Sequence, residues 1–376
     1  MKVLIVPNNI VNNCYGVRNA LPKKYLEAHG HEVRLQQEFT SYIHPEFGRV
    51  IDPTPFEWAD VIVFNRHYDL GTHSLKNIMR YCRSIGKVVV YETDDLLQAL
   101  DPANPMYEDM KKHVEQVVTM AKEATVCTTT GVPLREQLLK FNRDVQVLPN
   151  CIDTDVWHMR DGGNKRLRVG WAGGSSHMAD MMIVVDVIKR LKREHDFDFV
   201  IFGLSDLPWR ENIERLRTKH VEQTRNFPAM VPAAWYVATM KLADILDDLE
   251  FEHVSFVPHK EYNETLAKLN LDIGLCPLVD TTFNRCKSAI KFYEYAMVGT
   301  ACLASKMPPY EGEVGYCAKD RFDDWYKKLK RLIVDAEFRQ SLQEEQRAWV
   351  LANRDIQQQG YKWEQVYLGE PTHFDK

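Results

Sequence analysis

Short apolar runs alternate with amphipathic stretches along this 376-residue chain, and this alternation constrains the fold more than any other feature. Runs such as Val3–Val6 and Asp60–Phe64 have the length of buried strands, and helical spacing lies between them. Such alternation indicates mostly parallel α/β sheets. The pattern restarts at Leu167–Ala172, after the polar, glycine-rich segment 158–166. The sequence therefore predicts two α/β units, with a ligand cleft between the carboxyl ends of their strands.

Composition and charge argue against several classes of protein. A net charge of −5 gives no general basic field for nucleic acid or an anionic membrane. No apolar run approaches the roughly 20 residues that span a bilayer, and MKVLIVPNN is expected to be a first strand rather than a signal peptide. The eight cysteines show neither a CxxC pair nor zinc-ligand spacing. We therefore expect free thiols, a cytoplasmic location and no metal site.

The segment 287–305 (KSAIKFYEYAMVGTACLAS) carries the clearest chemical pattern. Lys287, Lys291 and Glu294 follow the i, i+4, i+7 spacing that places side chains on one face of a helix. Two cations at a helix start can hold an anion, because free N–H groups and the helix dipole already favour it. A carboxylate two turns on suits a diol such as ribose, so the layout indicates a sugar nucleotide. The alternative is a surface helix with solvated lysines.

Neighbouring residues could complete an anion site. Gly173 and Gly174 follow a strand and precede a helix, where backbone N–H groups can approach a phosphate closely; the alternative is a plain turn. Ser288 and Ala289 should lie in the first turn of their helix, where Ser288 could equally be a simple cap. Arg285 could add a bidentate phosphate contact.

Polar residues follow two strands of the first unit. Asp94 and Asp95 come directly after strand 87–91, a position suited to acid–base chemistry, although an aspartate can also cap the next helix. Of the two, Asp95 is the preferred candidate. His67 follows another strand end and could contact an acceptor or a donor sugar, or be purely structural.

Four segments in this order resemble glycosyltransferases of the GT-B fold, especially the large retaining family numbered four. They are YGVRNALPKKYLEAHGHEV, VLPNCIDTDVW, VGWAGGSSH and KSAIKFYEYAMVGTACLAS. The resemblance implies two Rossmann-like domains that face each other across a cleft. Residues 1–158 would form the acceptor domain, 159–345 the nucleotide-sugar donor domain, and 346–376 a C-terminal helix returning to the first domain.

The resemblance also implies roles within the last of these segments. Glu294 matches the second glutamate of the family's paired-glutamate box, which is expected on the ribose hydroxyls. The first glutamate would fall at Cys286, so the usual contact to the donor sugar is missing or is made by another group. Lys287 and Lys291 fit a lysine-rich version of the box.

Other positions acquire roles by the same resemblance. The turn formed by Gly173, Gly174 and Ser175 matches the loop beneath the diphosphate, and His177 stands nearest to the basic residue that often follows this loop. His259 lies where similar proteins hold the base.

Arg18 lies where similar proteins direct an arginine at the donor phosphates or the acceptor, although a surface arginine is an alternative. In an inverting enzyme Asp94 or Asp95 would be the general base, and in a retaining one it could orient the sugar or acceptor. No catalytic metal or cofactor is expected beyond a UDP-, GDP- or ADP-type sugar donor.

The predicted activity is sugar transfer from a nucleotide diphosphate sugar to an acceptor hydroxyl. A saccharide or glycolipid precursor is the favoured acceptor, and a hydroxymethylated base of viral DNA is an option that the net charge does not favour. The alternatives are a sugar-nucleotide epimerase or phosphorylase on the same fold, and a non-catalytic sugar-nucleotide-binding protein, which the absent glutamate at Cys286 keeps open.

Overall fold

The computed structural model describes residues 1–8, 10, 13–44, 48–68, 71–226, 232–313 and 315–370. Its strands are β1 (Lys2–Val6), β2 (Glu32–Leu35), β3 (Ser41–His44), β4 (Gly48–Ile51), β5 (Val61–Asn65), β6 (Val88–Glu92), β7 (Val126–Thr129), β8 (Val145–Val147), β9 (Leu167–Gly173), β10 (Phe197–Gly203), β11 (Glu252–Val254), β12 (Ile273–Cys276), β13 (Ala301–Ser305) and β14 (Cys317–Ala318). They form two parallel six-stranded sheets and one antiparallel hairpin, β3–β4.

Helices connect the parallel strands. They are α1 (Asn13–Tyr15), α2 (Leu21–Ala28), α3 (Thr54–Trp58), α4 (Thr72–Ser84), α5 (Tyr107–Met110), α6 (Val114–Glu123), α7 (Val132–Leu138), α8 (Met178–Glu194), α9 (Trp209–Asn226), α10 (Ala234–Leu246), α11 (His259–Lys268), α12 (Thr282–Arg285), α13 (Ile290–Met297), α14 (Phe322–Val334), α15 (Ala336–Asn353), α16 (Ile356–Gln359) and α17 (Tyr361–Tyr367). A π-helical turn, Gly16–Ala20, joins α1 to α2, and short 3₁₀ turns occur at Leu97–Ala99, Lys111–His113, Thr154–Val156 and Ser175–His177.

Both sheets are covered on their two faces, which explains why central strands such as β1 and β5 are almost entirely apolar. In β1, Leu4 and Val6 pack into one core of the first domain, whereas Val3 and Ile5 pack into the core on the opposite face. A parallel sheet buried on both sides requires such continuous apolar strands. The predicted α/β architecture with two Rossmann-like domains is confirmed.

The order of the strands indicates where each sheet would bind a ligand. The first sheet has the order β2-β1-β5-β6-β7-β8, and the second has the order β11-β10-β9-β12-β13-β14. The direction of winding therefore reverses between β1 and β5 in one domain and between β9 and β12 in the other. Ligands of doubly wound sheets bind outside the carboxyl ends of strands at this reversal.

The chain returns to the first domain at its C-terminal end. Helix α15 packs on α13 and β13 of the second domain, and it continues to Asn353 before the chain crosses back. The returning element therefore begins at Ile356 rather than at residue 346, and residues 371–376 lie outside the described part. Ile356 N donates to Ile152 O, and Ile152 N donates to Arg354 O, each at 2.9 Å, so the two crossing segments are joined.

No helix in the described ranges is both long enough and apolar enough to cross a bilayer.

The returning helix should stabilise the first domain. Trp363 of α17 is fully buried in the core with Val3 and Ile5, and its ring lies 5.3 Å from the Arg18 guanidinium. We expect Trp363→Ala to lower the free energy of unfolding by about 3–5 kcal/mol. Tyr361→Ala, on an exposed position of the same helix, should cost less than about 1 kcal/mol. Urea unfolding of the full chain measures both values, and equal losses would contradict this packing.

Candidate functional site

A cavity of about 260 Å³ lies between the two domains. The first domain contributes the turn before α2, the second contributes α11 and α13, and the linker between the domains closes one side. Representative lining residues are Gly16, Val17, Ile152, Trp157, His259 and Glu294. The predicted interdomain cleft is therefore present, and the helix predicted to bind a nucleotide forms part of its wall.

Glu294 is buried at this cavity, with 8% of its surface exposed. Tyr262 Oη donates to Glu294 Oε2 at 2.9 Å, and the Tyr262 ring stacks on Phe202. Burial raises the pKa of Glu294 to about 7, although the Tyr262 hydrogen bond and the Lys291 charge lower it in part. The second carboxylate oxygen can accept further hydrogen bonds, as a diol would supply.

Lys291 of α13 lies at the carboxyl end of β9 in the second sheet. Lys291 Nζ lies over the Trp171 ring at 5.1 Å, and a Cβ added at Gly173 would come within 2.8 Å of that Nζ. Burial lowers the pKa of Lys291, and the carboxylates of Asp180 and Glu294 offset only part of this effect. The glycine therefore leaves room for a partly desolvated ammonium at the end of β9.

The turn after β9 is open. A Cβ added at Gly174 would meet no heavy atom within 4 Å, and Ser175 begins the 3₁₀ turn that leads into α8. His177 Nδ1 lies 2.7 Å from Asp180 Oδ2. Burial, together with the charges of Lys291 and Lys287, lowers the pKa of His177 to about 4. His177 is therefore neutral near pH 7, and the lysines supply the positive charge beside this turn.

Three residues around the start of α13 do not lie where their predicted roles require. The helix begins at Ile290, so Ser288 and the buried Ala289 precede it. Ser288 Oγ accepts a hydrogen bond from Asn150 Nδ2 at 2.7 Å, which links the second domain to the linker. Arg285 binds Asp280 through Nε at 2.5 Å and Nη2 at 2.7 Å, so the expected phosphate contact does not fit its placement.

A charged cluster lies at the carboxyl end of the first sheet. Arg66 forms ion pairs with both Asp94 and Asp95. Its Nε lies 2.8 Å from Asp94 Oδ1, but the two groups are not aligned for a hydrogen bond. Burial would raise the pKa of Asp94, but the Arg66 charge and a hydrogen bond from Cys14 outweigh it and lower the value. Arg66 has φ +58°, a conformation unusual for a side chain of this size. Such strain is often found at functional sites.

Arg18 is buried rather than exposed to the cleft. Its Nε and Nη2 bind the two carboxylate oxygens of Glu92 at 2.7 and 2.8 Å, while Nη1 donates to Leu148 O and Asn150 Oδ1. Neither a donor contact nor a surface position fits this placement. The reason is Glu92 itself, a buried acid at the end of β6 that no sequence pattern identified.

The two histidines take different positions. The His67 ring packs against His113, with centroids 4.5 Å apart, and its Nδ1 lies 3.5 Å from Asn8 Nδ2. His259, at the start of α11, lies directly against the first domain, because a Cβ added at Gly16 would fall 2.1 Å from His259 Nε2. His259 is thus a point of close approach between the domains, at the edge of the cavity.

Two further contacts join the domains beside the acidic cluster. Lys287 Nζ lies 3.5 Å from Asp95 Oδ1. Cys286 is buried with Phe283 of its own domain against Leu96 and Leu134 of the first domain. Sequence reasoning missed Arg66 and Tyr262 as members of the site, although Arg66 follows a strand end beside the chosen His67.

Among the residues that the structure describes, no group of three or more His, Cys, Asp or Glu side chains could hold a metal ion.

No protein-family model and no curated protein matches this sequence. Solved structures do match over 98% of its length. An alpha-glucosyltransferase in complex with UDP and a 13-mer DNA containing a HMU base has 11% identity, 99% coverage of its chain and a TM-score of 0.62. Anabaena Alr3699/HepE in complex with UDP and glucose has 11% identity, 100% coverage and a TM-score of 0.62. The catalytic domain of Arabidopsis thaliana Starch Synthase IV, bound to ADP and acarbose, has 12% identity, 98% coverage and a TM-score of 0.62.

The chain has the GT-B fold. At these identities the likeness concerns the arrangement of the two domains, and the chemistry has to be argued from the residues.

The raised pKa of Glu294 predicts a pH-dependent stability. Because folding raises its pKa from the ordinary 4.5 to about 7, the folded state binds the proton more tightly, and Glu294 should destabilise the protein progressively as the pH rises between these values. The cost above pH 7 should be about 3 kcal/mol. We expect the difference in unfolding free energy between Glu294→Gln and the wild type to increase over this range.

Taking this difference cancels the opposite contribution of His177, whose lowered pKa makes stability rise with pH between about 4 and its ordinary 6.5. Denaturant unfolding at several pH values measures it, and a difference that stays constant from pH 4.5 to 7.5 would contradict the assignment.

Proposed function

We propose that the protein is a glycosyltransferase that moves a sugar from a nucleotide diphosphate sugar to an acceptor hydroxyl, without a catalytic metal. The observation that carries this proposal is the placement of Glu294 at the interdomain cavity, with Lys291 near it on α13 and Lys287 just before that helix. A carboxylate accepts the hydroxyls of ribose, and the ammonium groups neutralise a diphosphate.

The same residues suit the chemical step. As the sugar leaves, negative charge develops on the diphosphate, and pre-oriented cations and helix amides stabilise that charge most effectively in a dry site. Lys291 is partly desolvated and lies over the Trp171 ring, in space that the absent side chain of Gly173 leaves free. Contacts between the domains at Gly16–His259 and Asp95–Lys287 would limit access of water, which favours transfer over hydrolysis.

The donor is a UDP-, GDP- or ADP-type sugar, and the protein itself needs no other cofactor. The neighbours crystallised with UDP or ADP support a nucleoside diphosphate in a fold of this kind. Membership of the retaining family four group is the finer part of this proposal, and it rests on the resemblance of four segments in order, among them 287–305. A cytoplasmic location agrees with the eight free cysteines.

For the acceptor, a saccharide or glycolipid precursor is the favoured class. A modified DNA base is a second candidate, because one structural neighbour was crystallised with DNA containing a HMU base. The net charge of −5 favours the first class, since duplex DNA binding depends on basic surface.

Donor binding should depend on Glu294. In titration calorimetry with UDP, GDP and ADP, we expect one nucleotide to bind the wild type, and Glu294→Ala to weaken it about 10- to 100-fold through lost hydrogen bonds to a charged group. Glu264→Ala is the matched control, because Glu264 is exposed on α11 and pairs only with Lys268 among the contacts described. Unchanged affinity in a folded Glu294→Ala protein would refute the assignment.

Turnover separates the transferase from its alternatives. We expect release of nucleoside diphosphate from the bound donor to require an acceptor and to persist in EDTA. Saccharides, lipid-linked sugars and hydroxymethylated duplex DNA should be tested as acceptors. An epimerase would convert the donor without releasing nucleoside diphosphate, and a binding protein would show affinity without turnover. Loss of activity in EDTA that Mg²⁺ restores would contradict metal independence.

A further inference from the structure

The cleft-facing segment of the second domain provides few acceptors for sugar hydroxyls. Between Thr282 and Met297 the sequence contains one acidic residue, Glu294. The Ser288 hydroxyl is bound by Asn150, and the Tyr293 hydroxyl is shared by Glu313 and Arg354. A bound sugar would need acceptors for several hydroxyl groups, so they have to come from elsewhere in the cleft.

The proposed donor has a fixed order along this segment. Its ribose and its transferred sugar lie on opposite sides of the diphosphate, and the inference therefore rests on the proposed function. With the ribose at Glu294 and the phosphates near Lys291 and Lys287, the sugar lies beyond Lys287. The residues at that place are Cys286 of the second domain and Asp95 of the first.

Cys286 cannot take the role of a hydroxyl acceptor. Its side chain is buried between Phe283, Leu96 and Leu134, and the apolar surroundings raise the pKa of its thiol to about 11. An uncharged thiol is only a weak hydrogen-bond partner. Position 286 therefore contributes an apolar contact between the domains at the place where the sugar needs polar groups.

Asp95 has the properties that Cys286 lacks. Its side chain is 19% exposed, and it is held by Arg66 from its own domain and by Lys287 from the other. Arg66 also binds Asp94, so the carboxylate pair is fixed at the end of β6. Beside it, buried Asn65 has side-chain nitrogen and oxygen atoms without a hydrogen-bond partner in the structure. Such atoms in a buried position call for a ligand or water.

We propose that Asp95 accepts hydrogen bonds from hydroxyls of the transferred sugar, with Lys287 joining this carboxylate to the diphosphate site. Asp95 thus determines recognition of the sugar, and it does so from the domain opposite to the nucleotide. Because the carboxylate reaches the donor only while the domains are in contact, sugar recognition requires the contact between Cys286 and Leu96.

The test compares affinities for a nucleoside diphosphate and for its sugar conjugate. The probes are the pairs UDP and UDP-glucose, GDP and GDP-mannose, and ADP and ADP-glucose, and calorimetry uses the pair that binds the full-length wild type. The ratio of the two dissociation constants reports the contribution of the sugar. We expect Asp95→Asn to reduce that contribution about 10- to 100-fold, the effect of losing hydrogen bonds to a charged group.

Affinity of Asp95→Asn for the nucleoside diphosphate alone should stay within about fivefold of the wild type, as expected after loss of a partly exposed ion pair. Glu136→Gln is the matched control: Glu136 is an exposed carboxylate of the first domain that is near enough to affect the pKa of Cys286. Its ratio should equal that of the wild type. Asp95→Glu keeps the negative charge but moves it by one methylene group, so it should also reduce the contribution of the sugar. This variant replaces Asp95→Asn in the test if the asparagine variant does not fold.

The other outcomes overturn the proposal. Equal weakening of both probes would assign Asp95 to the phosphates or to structure, and an unchanged ratio with a lower turnover number would assign it to the acceptor. If the wild type binds none of the nucleoside diphosphates, the proposed function itself fails and this inference fails with it. If nucleotide binding depends on Glu294 but the ratio of the two dissociation constants is the same in Asp95→Asn and the wild type, only the inference fails.

Discussion

The buried ion pair between Arg18 and Glu92 is the interaction on which the arrangement of the cleft depends. Burying two charges is costly unless both are fully hydrogen-bonded, and here Thr128 adds a further bond to Glu92 while Leu148 and Asn150 bind Arg18. Asn150 also binds Ser288. One chain of polar contacts therefore connects the π-helical turn before α2, strands β6 and β7, the residues after β8, the linker and the residue Ser288 ahead of α13. Removing either charge would leave the other buried without its countercharge.

The site proposed for the donor contains charges whose pKa values are shifted toward neutrality. Burial raises the pKa of Glu294 and lowers that of Lys291, so it disfavours the charged form of each group. Ribose hydroxyls and a diphosphate would supply additional partners for these two groups. Burying these charges lowers the free energy of unfolding at a position where a bound ligand would raise it again. Such a trade-off between stability and function is common at binding sites. By contrast, Asp94 has a lowered pKa and is held by Arg66, so it is poorly suited to accept a proton from an acceptor hydroxyl.

The sequence predicted those features that depend on local order along the chain. Apolar runs identified both sheets. The predicted helix contains Lys291 and Glu294, and Glu294 lies at the interdomain cavity, but Lys287 precedes the helix, which begins at Ile290. Arg18 is paired with Glu92, which lies at the end of another strand and becomes its neighbour only in the folded chain, whereas Arg285 is paired with Asp280, five residues before it in the sequence. Charge on an isolated arginine gives no information about such a partner. His177 illustrates a related limit, since its neutral state results from burial beside two lysines and not from its own position in the sequence.

Movement of the domains has to be compatible with these contacts. The two crossing segments, at Ile152 and Arg354, are hydrogen-bonded to each other, and Arg354 also binds Glu313 and the Tyr293 hydroxyl. Tyr293 precedes Glu294 on α13. A rotation about the crossing segments would therefore act on the helix that carries the proposed ribose contact, whereas the Cys286 contact and the Asp95–Lys287 pair lie on the cleft side and would separate. A donor that contacts both domains would favour the state in which these contacts are made.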